Sequence, residues 1–505
     1  MGAPFPPDAR RREPPRITPD DPRYGHLVAR GPNRFRGTPD EVRLVESTEQ
    51  TVRCVQEAVR AGRRLAVRSG GHCFEDFVDR PEVRTVIDMS GMREVSYDPV
   101  RHAFAVEAGA TLGEVYRRLY LGWGVTVPGG YCPDVGAGGH VPGGGHGPLC
   151  RLFGLVSDHL YAVETVVVDG SGRARSVIAT REPGDPAREL WWAHTGGGGG
   201  TFGAVTRYWF RSPGTTAATP PEELLPVPPA TALAFRAGWD WRELDRRSFG
   251  RLVDNFGRWC ERRSGPGAEE SALYNELVLG PRAASEFSML GQVTAAPGPA
   301  GRLLREHLDA VCEGAPRPSY VTGLTLPWLT AALRGPGEGV GDRRVKIKSG
   351  YLRRRLGEDR IETAYRRLVG TEDGVSGSLS LTTYGGRVNA VAPGATAVAQ
   401  RDSVMKLTTL ALWRGTGPEA AHLAWIREFY RELYAGTGGV PAPGETDDGA
   451  FVNYADTDLR DPVWNTSGTG WEELYFKDGA ARLRAAKARW DPLGVFRHAL
   501  SVPAG

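Results

Sequence analysis

Glycine is gathered along this chain rather than spread. The 505 residues include 67 glycines. They cluster at Gly70-Gly71, at Gly129-Gly130, through Gly136 to Gly147, and in the unbroken run Gly196 to Gly200. Glycine is used where a chain must turn left-handed or let its backbone approach something closely. These runs carry few of the polar residues that ordinary turns use. Their pattern therefore implies loops wrapped around a flat or phosphorylated ligand, set between regular elements.

Length and charge narrow the class. A chain of 505 residues exceeds one compact core and suits two large domains. Hydrophobic residues make up 40% and charged residues 24%, as in globular proteins generally. The formal charge of +3 gives no reason to expect nucleic acid. No stretch reaches the eighteen apolar residues that suggest a membrane span. The six cysteines, Cys54, Cys73, Cys132, Cys150, Cys260 and Cys312, show no C-x-x-C spacing, which argues against zinc or a disulfide framework. Residues 1–20 place Arg10 to Arg12 among prolines with no apolar run after them, so a flexible arm and a cytoplasmic protein are expected.

The remainder reads in three sections. From about 40 to 210, short strands alternate with helices. Ser47 and Gln50 predict a capped helix through Val52, Val55 and Val59. Leu65 to Val67 predicts a strand running into Gly70-Gly71, and Thr111 opens a helix through Tyr120. Gly198 to Gly203 fits G-x-G-x-x-G, but a strand rather than a helix follows and no acidic reader lies beyond, so dinucleotide binding of the NAD type is rejected. From 212 to 449, a Pro/Thr-rich spacer leads into helices near 245–262, 300–312 and 417–436 with alternating strand-like runs between. Lys346 and Lys348 alternate on one strand, and a solvated face is expected for them. From 450 to 505, Leu483, Ala486 and Trp490 share a helical face before a turn at Asp491 to Phe496.

The loops carry the candidate chemistry. Gly70 and Gly71 can present several backbone N–H groups as an anion-holding nest. His72 follows directly, and Cys132 follows Gly129-Gly130-Tyr131. His140 and His146 lie six residues apart on a glycine loop, poor metal spacing, so no metal site is expected and both are read as pocket lining.

Four segments together, Arg68-Ser69-Gly70-Gly71-His72, the Cys132 loop, Trp191 to Gly200, and Phe451-Val452-Asn453-Tyr454, resemble the berberine bridge enzyme-like branch of the vanillyl-alcohol oxidase flavoproteins. The resemblance runs through the chain beyond residue 20 and is nearest to the family's bacterial antibiotic-pathway oxidases. It implies an α+β protein. A PCMH-type FAD-binding domain would cover residues 21–211, an antiparallel-sheet substrate domain covered by helices 212–449, and a segment 450–505 would return to the FAD domain. It implies FAD bonded through His72 to the 8α carbon and through Cys132 to C6 as a 6-S-cysteinyl link. Arg68, Ser69, Gly70 and Gly71 would sit at the pyrophosphate. Gly136, Gly138, Gly139, His140, Gly144 and Gly147 would line the ring and adenosine side. Val205 would lie near adenine, and Asn453 and Tyr454 over the flavin ring. Relatives carry tyrosine where this chain has His146.

The implied reaction is oxidation of a hydroxyl on a bulky sugar-bearing or polyketide substrate, with hydride passing to flavin N5 and O2 reduced to H2O2. Tyrosine can take the hydroxyl proton if its neighbours lower a pKa of about 10. The resemblance points to Tyr454 as that base and to Tyr384 as a second active-site tyrosine. The edge of the second sheet around Ser378 to Tyr384, with His146 and Trp413, is expected to line the substrate site. Dehydrogenation or carbon–carbon cyclisation on the same fold, and a flavin-free binding protein, are the rival expectations.

Overall fold

The structure is a computed structural model that describes residues 13–504, apart from 30–33, 284–286, 335–342, 372–374 and 416–418. Residues 1–12 of the expected arm therefore lie outside the described residues. Residues 16–17 are not part of a loose arm. Arg16–Ile17 (β1) pairs antiparallel with Glu41–Leu44 (β2), because Ile17 has a fully buried place against Val42 and Val86.

Two sheets form before residue 211. In the first, Leu65–Arg68 (β3) and Thr85–Asp88 (β4) run parallel to β2, in the order β1-β2-β4-β3. The helix Thr48–Arg60 starts where expected. The Ser47 hydroxyl accepts from the Gln50 N–H at 3.2 Å, and the Gln50 side chain reaches back to the Glu46 N–H at 2.7 Å. The second sheet contains Val95–Asp98 (β5), Ala103–Glu107 (β6), Leu160–Val168 (β7), Ala174–Thr180 (β8) and Ala204–Phe210 (β9), ordered β5-β6-β9-β7-β8. After the glycine run at 196–200 the next regular element is the strand β9, from Ala204, and not a helix.

The third sheet is antiparallel throughout. Its strands are Thr231–Trp239 (β10), Leu273–Leu279 (β11), Phe287–Val293 (β12), Tyr320–Pro327 (β13), Arg344–Leu352 (β14), Gly377–Thr383 (β15) and Met405–Trp413 (β16), ordered β13-β10-β12-β11-β15-β16-β14. Helices Arg246–Arg263, Pro297–Val311, Glu358–Val369 and Glu419–Leu433 cover one face. Alternation decides which side chains meet them. On β15 and β16, Leu379, Leu381, Met405, Leu407, Ala411 and Trp413 belong to the main core. Their neighbours in sequence face the other way. Residues opposite one another across antiparallel strands share a face, so Arg236, Leu290, Glu276, Thr382, Lys406 and Tyr351 form one row across the sheet.

Two expectations about this sheet fail. β15 is an interior strand, so Ser378 to Tyr384 is no edge. Trp413 has the parity of the core residues, is 5% exposed and stacks on His422 at 5.1 Å. It packs beneath the helices and does not line a substrate site. No helix among the described residues is long and apolar enough to cross a membrane.

The C-terminal segment closes the molecule. Helix Gly479–Trp490 buries Leu483, Ala486 and Trp490. Lys487 Nζ donates to the Thr201 carbonyl at 2.6 Å, and His498 Nε2 lies 3.0 Å from the Gly199 carbonyl, pinning the segment to the long glycine run.

Candidate active site

The glycine loops are locked to one another. A Cβ on Gly70 would lie 2.4 Å from the Gly136 nitrogen, and one on Gly147 would lie 1.9 Å from the Gly129 carbonyl oxygen. These two backbone crossings admit no side chain, which explains the residue type directly. Gly71 adopts φ +69°. A Cβ on Gly139, by contrast, meets nothing within 4 Å, so that part of the loop borders open space. The result is a cradle of crossed backbone loops, and His72 and Cys132, at the ends of two of them, are both half-buried.

Several expected site residues make bonds that build this cradle. Arg68 is 8% exposed, pairs with Asp88 at 2.9 Å through Nε, and donates to the Leu27 carbonyl. That guanidinium is engaged at all three nitrogens within the protein, leaving the backbone of this turn as its free polar surface. The Ser69 hydroxyl donates to the Ala108 carbonyl at 2.6 Å, leaving backbone N–H groups as the donors of that turn. Gly144 adopts φ +97° against Val398. Gly138 packs on Ser69 and Ala108, and Val205 is buried in β9 opposite Thr165. Asn453 Nδ2 donates to the His140 carbonyl at 2.9 Å and ties the C-terminal segment to the glycine loop.

His140 has a definite task in the structure. Its Nε2 accepts the Gly130 N–H at 3.1 Å, while the Gly130 carbonyl accepts the Tyr116 hydroxyl at 2.6 Å. Gly130, two residues before Cys132, is thus gripped through both its N–H and its carbonyl. Burial, with the nearby Lys406 charge, pushes His140 down to about 4, which keeps the imidazole neutral and able to accept. Cys132 itself is pushed up to about 11 by burial and by the Asp134 and Glu276 charges.

The sheet supplies the facing wall. Tyr454 lies edge-on to Phe74 at 5.8 Å and to Phe451 at 5.2 Å, with Lys406 Nζ 4.6 Å from its ring centre. Burial and the Glu276 charge raise its phenol, while a hydrogen bond with Tyr131 works the other way. The expectation that neighbours would bring this pKa down is therefore not met by the protein groups as they stand. Lys406 is pushed down to about 8 by burial, against the pull of Glu276. Tyr384 is fully buried, and its hydroxyl donates to the Gln400 carbonyl at 3.2 Å. That hydroxyl is occupied, so Tyr384 reaches the site only as a ring 5.2 Å from His146. His146 stands between Tyr384 and Tyr274, with Nε2 buried and unpartnered. Burial, reinforced by the Lys406 charge, holds it well below the usual imidazole range.

An apolar cleft opens beside Tyr131 and Tyr274. Tyr116, Val127, Tyr131, Tyr274, Leu326 and Trp328 line it, between the Cys132 loop and the strands β10 to β13. Glu276, Lys406, Tyr131 and Tyr274 were not singled out from sequence. The available signal was strand parity: Tyr274 and Glu276 are two apart on β11, and Lys406 is opposite Thr382.

Comparison with known proteins decides the family. A profile for an FAD binding domain matches residues 39–174, and one described as berberine and berberine like matches residues 450–503. The aclacinomycin-N/aclacinomycin-A oxidase of Streptomyces galilaeus is 53% identical over 95% of this chain and 88% of its own length. The chain belongs to the berberine bridge enzyme-like family of FAD-linked oxidoreductases. The family's reach extends to the hexose oxidase of Chondrus crispus, 31% identical over 96% of this chain and 94% of that protein. Among solved structures, an aclacinomycin oxidoreductase matches with TM-score 0.95, at 51% identity over 98% of this chain and all of that one. A glycopeptide hexose oxidase complexed with teicoplanin matches with TM-score 0.93 and 49% identity, over 97% and 99% of the two chains. The expected α+β architecture of a vanillyl-alcohol oxidase-type flavoprotein is the one observed. The cradle of a berberine bridge enzyme-like protein also suits FAD: crossed glycine backbones offer N–H groups on one side, and Gly139 leaves room for a flat group on the other.

Proposed function

We propose that this protein is an oxidase that removes two hydrogens from a CH–OH group of a bulky natural product, one bearing a sugar or polyketide hydroxyl, and passes the electrons to O2 as H2O2. Its FAD is held by two covalent links, from His72 to the 8α carbon and from Cys132 to C6. The observation that carries the reading is that the loops of His72 and Cys132 meet at Tyr454: Phe74 lies edge-on to its ring at 5.8 Å, and Tyr131, which also lines the apolar cleft, hydrogen-bonds to it. The relatives named for aclacinomycin and hexose oxidation support it.

When bound, FAD supplies the hydride acceptor of the reaction and the route to O2. The chain's own residues do the rest. The backbone from Ser69 to His72 holds the pyrophosphate, and the loop from Gly136 to Gly147 borders the ring. Tyr454 takes the hydroxyl proton. Its anion forms against a burial penalty, offset by the Tyr131 hydrogen bond and by the Lys406 ammonium facing its ring. His146 and Tyr274 border the hydroxyl-bearing end of the substrate, and the cleft excludes water around its apolar body.

The test is peroxide release by the purified yellow protein given aclacinomycin N and, separately, teicoplanin. Release with either supports the reading. Absence of release with both, despite a fully flavinylated chain, contradicts it. Tyr454→Phe should lower kcat by about 10²–10⁴-fold, the worth of one positioned acid–base group, while the flavin stays attached.

A further inference from the structure

Resting on the two-tether reading, we propose that Glu75 is the positioning residue for the His72 tether, acting through a buried ionic cluster that also carries the loop of Tyr454. The cluster has six members. Lys346 Nζ bonds Glu75 and, at 2.7 Å, Asp456. Lys348 Nζ bonds Asp456 at 2.5 Å and Asp458 at 2.9 Å. Arg427 closes on Asp458 at 2.9 and 3.0 Å. Three cations meet three carboxylates, so the group is formally neutral. Lys346, Lys348, Glu75, Asp456 and Asp458 are each no more than 4% exposed. The solvated face expected for the two lysines is thus reversed: they point under the sheet, toward the helix Glu419–Leu433.

Charge is a costly way to fill a buried space. Apolar side chains of similar volume often hold a fold as well or better. What the charges add is a fixed geometry between parts that share no regular structure. Glu75 lies three residues after His72, on a stretch from 69 to 80 without helix or strand. Asp456 lies two residues after Tyr454. One ammonium, Lys346, therefore sets the distance between the loop of the tether and the loop of the base. Thr457 adds contacts to Glu75 at 3.4 and 3.5 Å. Across the cradle, the Cys132 loop has a neutral grip of its own in His140 and Tyr116, and it meets the Tyr454 loop only through the Tyr131 and Asn453 hydrogen bonds.

Tether formation is sensitive to that placement. A ring nitrogen of His72 replaces one hydrogen of the flavin 8-methyl group. The imidazole proton and that hydrogen leave as protons, and the electron pair passes through the ring to O2, giving H2O2. Displacing the imidazole by an ångström slows such a step steeply.

Trypsin releases residues 69–84 and 119–151 as separate peptides, since Arg80 precedes Pro81. With both tethers made, one flavin joins them into a single species. In purified Glu75→Gln, the share of peptide 119–151 joined to 69–84 should fall about threefold or more, and peptide 119–151 carrying flavin alone should rise to match. Asp458→Asn unbalances the same cluster without touching Glu75; it should lower the unfolding midpoint yet keep the joined species. Glu75→Gln/Lys346→Met removes one charge of each sign and protects the test against simple misfolding; it should lose the joined species too. Full joining in either Glu75 variant overturns the proposal, as does equal loss in Asp458→Asn. Absence of the joined species in the unsubstituted chain overturns the two-tether reading itself.

Discussion

The loop of His72 and the loop of Cys132 both touch Tyr454, through Phe74 and Tyr131, but are held by opposite means. The first is fixed by full charges sunk beneath the third sheet, contributed by a strand, a helix and the C-terminal segment. The second is fixed by neutral groups, an imidazole accepting the Gly130 N–H and a phenol donating to the carbonyl of the same residue. Charged anchoring spans distant parts of the chain and fails heavily when one member is lost. Neutral anchoring is local and fails by about one hydrogen bond at a time.

The largest effect should come from breaking the charged side. Lys346→Ala leaves Glu75 and Asp456 without their shared cation, and a cost of about 3–5 kcal/mol is expected in urea unfolding of the flavinylated protein. A loss below about 1 kcal/mol would mean the cluster is hydrated and carries little. Acidity should next separate the two sides. His140 is held at about 4, below its ordinary 6.5, so its contribution is present above 6.5 and is lost as pH falls toward about 4. Lys346 is raised above its ordinary 10.5 by Asp456 and Glu75, against the opposing effect of burial. Its contribution is present below 10.5 and is lost only as pH rises through the higher folded value. Hydrogen-exchange protection, corrected for intrinsic rates, should therefore drop in peptide 119–151 between pH 6.5 and 4 while peptide 69–84 keeps its own. Loss in both together would erase the distinction.

Tyr116→Phe tests the neutral side with less force. It removes the 2.6 Å bond to Gly130, worth about 1 kcal/mol, and should leave a fraction of chains tethered at His72 alone. The smallest effect belongs to His146→Phe. Its Nε2 is buried without a partner, so replacing the imidazole should leave the unfolding midpoint unchanged or slightly higher. On the proposed reading, in which His146 borders the substrate, the same change should raise KM more than it lowers kcat. A lower midpoint would show that the nitrogen is bonded within the protein.

The first half of the fold was legible in the chain because its signals are local. Ser47 and Thr111 announced their helices, and a strand led into Gly70-Gly71 as expected. The third sheet was harder, since burial there depends on the order of strands. Lys346 and Lys348 look like a wet face until helix Glu419–Leu433 and the C-terminal acids cover them. Trp413 looks like a ligand platform until its parity places it with Leu407 and Ala411. The partners of Arg68 and Tyr384 were not legible, because Asp88 and Gln400 reach their polar ends from 20 and 16 residues away. Glu276 and Lys406 join the site only through cross-strand pairing, which no short motif records.

The central claim is a flavin bonded to the chain at two points. Denatured, trypsin-cut protein weighed by mass spectrometry addresses it directly. The expected result is one species made of residues 69–84, residues 119–151 and a single FAD. Two unmodified peptides, with FAD free in solution, would contradict it.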